Sequence, residues 1–427
     1  MNLNHNSIWS YENICIFGEY LYLPRMNQKA DYLIIGAGII GLAIARELRS
    51  RYPEAEILII EKEPDVAYHS SGRNSGVLHA GFYYSADSLK AKFTRDGNFQ
   101  MKEYCRQHNL KLNECKKVVV AKDESELKAL YELDKRGKKN GVDVSIITEE
   151  ELQAIDPNAK TFRHALFSPN TATVDPTEVN MAIKNELKDK GIKFIFNDGY
   201  KCREDSDKVM TLSGSVITAG KIINAAGLYA DKIARDFNFS KDYTIIPFKG
   251  IYLKYTKKDK PIKTNIYPVP NLKNPFLGVH YTITVDGTIK IGPTSIPAFW
   301  RENYKGMHHF KGGEMANILG WESRLFLTNA FGFRSLAFEE VRKYNKSFFV
   351  GLAAKLVKHI DKSGFTEWSK PGIRAQLMNK KTLELVQDFV VEGDGSTIHV
   401  LNAVSPAFTS SFPFAKWVVE NFVIPKL

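Results

Sequence analysis

The sequence predicts an α/β fold in which a parallel-sheet domain of βαβ type is interleaved with an antiparallel-sheet α+β domain. Three observations predict it. Asp31–Gly41 reads Asp-Tyr-Leu-Ile-Ile-Gly-Ala-Gly-Ile-Ile-Gly: an apolar run short enough for one buried strand, a glycine turn, then helical spacing. Lys221–Asp231 repeats that order, and Thr397–Ala403 followed by Thr409–Glu420 returns to strand and helix near the end. Before that return, Asp242–Tyr255, Asn265–Val269 and Thr288–Ile291 are β-rich and broken by Pro and Gly turns, which suits antiparallel pairing.

The first element carries the most chemistry. Tyr32–Ile35 is the strand, Ile39–Leu48 the helix, and Gly36, Gly38 and Gly41 stand between them in GxGxxG spacing. Gly36 permits the tight turn, Gly38 lets a pyrophosphate approach the backbone, and Gly41 lets helix and strand pack closely. The phosphates would rest on the helix N-terminus. Ile57–Ile60 is a second buried strand, and Glu61 ends it where an acceptor for ribose hydroxyls is needed. Strand, glycines, helix, strand and acid in this order predict a dinucleotide site, with NAD and FAD both open at this point.

The remaining elements follow in order. Ser70–Gly81 is a Gly/Ser-rich loop, and Leu89–His108 is helical. Lys117–Ala121 reads as a strand and Ser125–Asn140 as a charged amphipathic helix. Thr148 with Glu151 fits a capping box opening a short helix that Asp156-Pro157 ends. Thr177–Lys190 is a helix, Lys193–Phe196 a strand, and Gly313–Ile360 largely helical. This order assigns 30–110, 165–241 and 350–427 to the nucleotide domain, and 111–164 and 242–349 to a substrate domain, with the active site between them. Residues 1–29 are expected to be a disordered extension or to precede a true start at Met26.

Bulk properties narrow the function. A chain of 427 residues, 44% hydrophobic and 25% charged, has room for two cores and the balance of a globular protein. No apolar run approaches the roughly 20 residues of a membrane span. The net charge of +11 comes from dispersed lysines without a basic stripe, so no nucleic acid partner is expected. Cys15, Cys105, Cys115 and Cys202 form no CxxC pair, which suits reduced thiols in a cytoplasmic setting. His308-His309 has no accompanying ligand cluster, so no metal is expected. Phe412–Val423 is apolar and aromatic, and it reads as a core helix or as a peripheral contact with the inner face of the cytoplasmic membrane.

No second GxGxxG follows Gly41, which argues against a nicotinamide partner, and the Ser70–Tyr84 loop supplies small residues and amides for a large planar cofactor. With Ser71-Gly-Arg-Asn-Ser-Gly-Val-Leu-His-Ala-Gly81, the motifs Asn224-Ala-Ala-Gly-Leu228, Pro247-Phe-Lys-Gly250, Ile266-Tyr-Pro-Val-Pro270 and Pro275-Phe-Leu-Gly-Val-His-Tyr-Thr282 stand in order. Gly372-Ile-Arg-Ala-Gln376 and Asn402-Ala-Val-Ser-Pro-Ala-Phe-Thr-Ser-Ser411 complete the series. In this set the chain resembles the FAD-dependent L-2-hydroxyglutarate dehydrogenases (oxidases), within the superfamily of D-amino acid oxidase and glycine oxidase. The resemblance implies a Rossmann-like, glutathione-reductase-like FAD-binding domain with an inserted antiparallel substrate domain. It implies FAD as cofactor, a small anionic 2-hydroxy acid as substrate, and quinone or oxygen as electron acceptor.

Oxidising a 2-hydroxy acid requires a hydride acceptor, a base for the hydroxyl proton and cations for the carboxylates. A neutral histidine suits the base. His79, in the loop expected beneath the flavin, is the first candidate and His280 the second. Arg374 is the expected carboxylate clamp, because its fork matches a carboxylate with two hydrogen bonds. Tyr83, Tyr84 and Lys249 are expected in the substrate pocket. Gly36, Gly38, Gly41, Glu61, Ser71, Gly72, Arg73, Asn74, Ser75, Gly76, Ala226, Gly227, Ser405, Thr409 and Ser410 are expected at the cofactor. Ser405–Ser411 should precede a helix whose N-terminus faces the flavin. The chain departs from the family pattern at Ile251, Thr284, Thr294, Pro413 and Ala415, and with Lys249 in place of an arginine, which leaves the exact substrate open. An amine or D-amino acid/glycine-type oxidase and a non-catalytic flavin-containing assembly protein are the alternatives.

Overall fold

In a computed structural model, residues 27–270 and 277–424 are described. Met26, Cys15, Pro275 and Phe276 lie outside them. Strand β1 (Asn27–Ile35) is the centre of an eight-stranded sheet. It pairs in parallel with β2 (Ile57–Ile60) on one side and with Val216–Asn224 on the other. Lys193–Ile195 extends the sheet beyond β2, and Thr397–Asn402 pairs in parallel with Val216–Asn224. The three sequence segments read as nucleotide-type thus meet in one sheet.

Both faces of that sheet are covered, which explains why its strands are apolar without alternation. Tyr32 and Ile34 face a core shared with helix α1 (Ile39–Arg51) and the helices Leu89–Gln107, Pro176–Asp189 and Ala407–Val418. Leu33 and Ile35 face the opposite core, closed by Ile233 and Phe237. The Leu89–Gln107 and Ala407–Val418 helices cross closely at Gly97, where a Cβ would stand 2.2 Å from the Thr409 carbonyl. Pro413 leaves that carbonyl without its usual i→i−4 donor, so the departure at Pro413 coincides with the crossing.

A second eight-stranded sheet runs Phe365–Trp368, Leu253–Tyr255, Ile289–Gly292, His280–Ile283, Asn265–Pro268, Lys117–Val120, His164–Ser168, Ser145–Thr148. All its pairings are antiparallel except Asn265–Pro268 against Lys117–Val120. Tyr243–Gly250 pairs with Gly372–Asn379 and Ile296–Pro297 in a small sheet that joins the two halves.

Several sequence expectations need correction. His164–Ser168 and Phe365–Trp368 belong to the antiparallel sheet, and Phe349, Val350 and Ala353 pack beneath it, so the boundaries at 165 and 350 fall inside substrate-domain structure. Asp242–Tyr255 is two strands in two sheets. Asn27–Lys29, placed in the extension, continue β1 by pairing with Val216–Thr218; their polar side chains hid a strand held by backbone bonds. Phe412–Val423 packs in the core of the nucleotide domain, with Phe414, Ala415, Val418 and Val419 fully buried and Trp417 and Phe422 partly buried against them. The Thr148–Glu151 capping box is present as read.

Candidate active site

The glycine turn after β1 is built for close approach. Gly36 has φ +104°, and a Cβ there would meet the Ala225 carbonyl at 2.8 Å. At Gly41 a Cβ would stand 2.0 Å from the Gly36 carbonyl, so Gly41 lets α1 sit on the turn and does not face the cavity. The Glu61 carboxylate accepts from the backbone amides of Ala37 at 2.8 Å and Glu63 at 3.0 Å. Ser71 Oγ accepts from the Ile39 amide at 2.9 Å, which ties the Ser70–Gly81 loop to the start of α1.

That loop is pinned along its length. Ser70 donates to the Ile373 carbonyl, and Asn74 donates to the carbonyls of Ser70 and Ser71 while accepting from the Gly76 amide. Cβ atoms at Gly72 and Gly76 would stand 2.0 Å from the Ala67 carbonyl and 2.3 Å from that of Val174. These two glycines serve backbone crossings and do not line the cavity, contrary to the sequence expectation. Ser410 is likewise inside its helix, bonded to Thr94 across the helix crossing, and away from the cavity. The helix starts at Ala407, earlier than the expected end of the turn; Ser405 and Thr409 line the cavity.

One cavity of about 1380 Å³ runs from the glycine turn to the seam with the substrate domain. Gly36, Gly38, Glu61, Ser71, Arg73, Asn74, Ser75, Ala226 and Gly227 line it, as do His79, Tyr252 and Arg374. It exceeds the roughly 300–1,000 Å³ of a drug-sized site, room that a dinucleotide plus a small substrate would need. The closely approached glycines, the amide-bound acid after β2 and the elongated cavity fit FAD.

His79 lines the cavity and is otherwise buried. Its amide donates to Thr409 Oγ1 at 3.1 Å, and the Asn98 side chain donates to the carbonyls of Leu78 and His79. Its Nδ1 has no partner among the described residues. Burial, then the nearby Lys117 and His280, hold its imidazole well below the usual histidine range, so it is neutral near pH 7. His280 does not line the cavity. It stacks on Tyr267 with centroids 3.7 Å apart, and Nδ1 donates to the Gly278 carbonyl at 2.8 Å, which fixes the tautomer. Burial pushes it down to about 3.

Arg374 lines the cavity beside Gly250, and its Nη1 donates to the Thr294 carbonyl and to Ser295 Oγ, both at 3.1 Å. Lys249 is buried outside the cavity, donating to Asn303 Oδ1 at 3.2 Å. Tyr83 and Tyr84 also lie outside it; they pack under the antiparallel sheet, where their rings contribute apolar area. These three residues therefore do not form the expected pocket wall. The departures are structural too: Thr294 Oγ1 joins the Lys249 carbonyl to the Ile251 amide, and Thr284 closes a hairpin on Thr288. None of the departure positions, Lys249, Ile251, Thr284, Thr294, Pro413 and Ala415, lines the cavity.

Sequence reasoning missed Lys117. It is fully buried at the head of the Lys117–Val120 strand, with Nζ unbonded among the described residues. The ammonium lies 4.2 Å from the ring centroid of Tyr267, 5.3 Å from Tyr83 and 5.6 Å from Phe82. Burial pulls it down to about 7. The available signal was a lysine continuing an all-apolar strand. Also missed was the segment 301–304, which straps the nucleotide domain: Arg301 forms a two-bond ion pair with Asp231, and Tyr304 bonds His69. Glu63, His69 and Glu302 converge there, but Lys62 Nζ already stands among them, 2.8 Å from Glu302 and 2.9 Å from His69.

The comparisons with known proteins agree with this geometry. A family model described as FAD dependent oxidoreductase (DAO) matches residues 31–421. The chain is 35% identical to the mitochondrial L-2-hydroxyglutarate dehydrogenase of Nematostella vectensis, covering 92% of this chain and 91% of that one. It is 33% identical to L-2-hydroxyglutarate dehydrogenase of Escherichia coli K12, covering 92% of each. Against the mitochondrial human enzyme of that name it is 33% identical, covering 92% and 89%. Among solved structures it superposes on L-α-glycerophosphate oxidase of Mycoplasma pneumoniae with FAD bound, with TM-score 0.74 and 20% identity over 94% and 96% of the chains. Glycine oxidase of Geobacillus kaustophilus gives TM-score 0.66 and 18% identity over 93% and 95%.

Proposed function

The chain belongs to the FAD-dependent oxidoreductase (DAO) family, and on that premise we propose that it oxidises a small 2-hydroxy acid, L-2-hydroxyglutarate to 2-oxoglutarate. The observation that carries the reading is that a neutral, buried histidine, His79, and an arginine, Arg374, line the same cavity as the dinucleotide turn. When bound, FAD supplies the two-electron acceptor for the hydride that leaves the hydroxyl carbon.

His79 takes the hydroxyl proton, because its neutral imidazole reaches the cavity and His280 does not. Arg374 holds the substrate carboxylate, preset by its bonds to Thr294 and Ser295 so that little side-chain freedom is lost on binding. Glu61 and the loop Ser71–Ser75 hold the cofactor, with Glu61 at the adenosine ribose. Loss of one hydride and one proton leaves the 2-oxo acid, and the electrons pass on to quinone or oxygen.

Anaerobic mixing of the FAD-loaded protein with a panel of 2-hydroxy and 2-amino acids tests this. L-2-hydroxyglutarate is expected to bleach the flavin absorbance fastest. Bleaching by an amine or amino acid instead would move the chain to that branch of the superfamily. FAD that none of the acids reduces would make it a non-catalytic flavin protein.

A further inference from the structure

Residues 298–311 cross from the substrate domain to the nucleotide domain without forming a helix or a strand. They leave Ile296–Pro297, at the edge of the small joining sheet, and end where helix Gly312–Thr328 begins. Connections of this length without secondary structure are usually lids or binding loops. The root of this one is fixed. Arg301 holds Asp231 and the Leu228 carbonyl, and Asn303 Oδ1 accepts from Lys249 at 3.2 Å. The tip folds back on the root: Trp300 Nε1 donates to the His308 carbonyl at 3.0 Å, and Asn303 Nδ2 to that of Gly306 at 3.1 Å. From Lys305 to Lys311 every residue is exposed, so little apolar burial resists the tip lifting away.

The inner side of the segment belongs to the cofactor cavity, which Glu302, His309 and Lys311 line together with Lys62, His69, Arg73 and Tyr229. Glu302 is bonded to both banks of that cavity. Lys62, just after β2, stands 2.8 Å from its Oε1, and Tyr229, just after Val216–Asn224, donates to the same oxygen at 2.8 Å. Tyr304 does not line the cavity; its hydroxyl bonds His69 Nδ1 at 2.8 Å, and its ring centroid lies 4.3 Å from the Arg73 guanidinium. Lys311 Nζ reaches the Tyr229 hydroxyl at 3.5 Å. β2 and Val216–Asn224 flank β1 in the sheet. A segment bonded beyond the ends of both therefore spans the crevice where a dinucleotide lies across the strand ends.

We propose that residues 300–311 are a latch over the adenosine half of FAD, closed by the Glu302–Lys62 and Tyr304–His69 contacts. FAD enters and leaves only when both contacts open. The inference rests on the reading that Glu61 holds the adenosine ribose, since Lys62 directly follows Glu61 in the chain. Because the closing bonds run from protein to protein, the latch acts on the rate of cofactor release and takes no part in hydride transfer.

The test is release of radiolabelled FAD from the loaded full chain into an excess of unlabelled FAD, with bound label counted after rapid gel filtration. Glu302→Gln is expected to speed release about tenfold or more, as loss of a hydrogen-bonded charge does. Tyr304→Phe, which keeps the ring on Arg73, is expected to speed it several-fold. Lys62→Met combined with Glu302→Gln should release FAD no faster than the quicker single variant, because both break one contact. Circular dichroism checks the folding of each variant, and Tyr304→Phe, changed by a single hydroxyl, keeps the test decisive if a charge change disrupts the fold. Unchanged release in Glu302→Gln and Tyr304→Phe would overturn the proposal. So would additive effects of Lys62→Met and Glu302→Gln, since each side chain would then be acting on the cofactor separately. Label that leaves neither the wild type nor the variants would show a tethered cofactor and overturn it too. Glu61→Ala, run alongside, tests the ribose reading by itself: unchanged release there withdraws that reading, while the latch is judged on its own variants.

Discussion

The backbone amide of His79 donates to the hydroxyl of Thr409 at 3.1 Å, across 330 residues of sequence. The same hydroxyl donates to the Val77 carbonyl at 3.4 Å, so the last helix fixes the loop that carries the proposed base. Thr409→Val keeps the shape and removes both bonds, leaving a buried amide unpaired at a cost of about 1–3 kcal/mol. Anaerobic flavin reduction is expected to slow while FAD remains bound, and Thr409→Ser should recover most of the rate. An unchanged rate in the valine variant would show that His79 is held without this bond.

The two histidines separate by access. His79 reaches the cavity, whereas His280 is stacked on Tyr267 behind it. His79→Gln is therefore expected to slow flavin reduction by about 10²-fold or more. His280→Gln should lose stability and leave the proton-transfer step within a few-fold. Stopped-flow absorbance on both variants decides it, and the reverse pattern would pass the role of base to His280.

The buried pair of Asp231 and Arg301 anchors the strap over the nucleotide domain, with contacts of 2.7 and 3.0 Å. Asp231→Ala strands the guanidinium, which for a buried pair costs about 3–5 kcal/mol. The Arg301 guanidinium, with Arg235 and the Ile245 amide, holds the Asp231 carboxyl below its usual range despite burial. The folded chain thus keeps that carboxylate ionised where the unfolded chain begins to protonate. Its contribution is present above the usual carboxylate range, near pH 4, and is lost as pH falls further. Urea unfolding at neutral pH checks the first expectation; a change under about 1 kcal/mol would refute it.

How much was legible follows from what each residue interacts with. That the β1 turn, Glu61, Ser71 and Arg73–Ser75 line one cavity was legible because their placement is backbone geometry written in glycines and small polar residues. Gly41, Gly72 and Gly76 have the same letters but serve helix and strand crossings, a distinction that depends on the opposing carbonyl far away in sequence. Tyr83, Tyr84 and Lys249 were misplaced because an aromatic or a lysine near a motif carries no sign of which way it faces. Lys117 was missed because pairing Lys117–Val120 in parallel with Asn265–Pro268 brings Tyr267 against it, a contact no local pattern announces.

Lys117 yields the sharpest expectation, because its stability and its electrostatics pull in opposite directions. An unperturbed lysine titrates near pH 10.4, and burial holds Lys117 down to about 7. Between those values the folded chain binds fewer protons than the unfolded chain, so stability rises with pH across the window and the cost is full at and below pH 7. Lys117→Met fills the same space without the charge. It is expected to raise the unfolding free energy at neutral pH by on the order of 3 kcal/mol, with the gain shrinking towards pH 10. The same change removes the cation whose charge helps hold His79 down; His280, the other group acting on it, is already neutral above about pH 4 because its own value is about 3. Protonation of His79 then becomes easier, so the acid limb of flavin reduction should move to higher pH. Denaturation at two pH values and a pH profile of anaerobic reduction test both halves. A variant that is less stable, or one whose acid limb does not move, would show that the amine is held for packing alone.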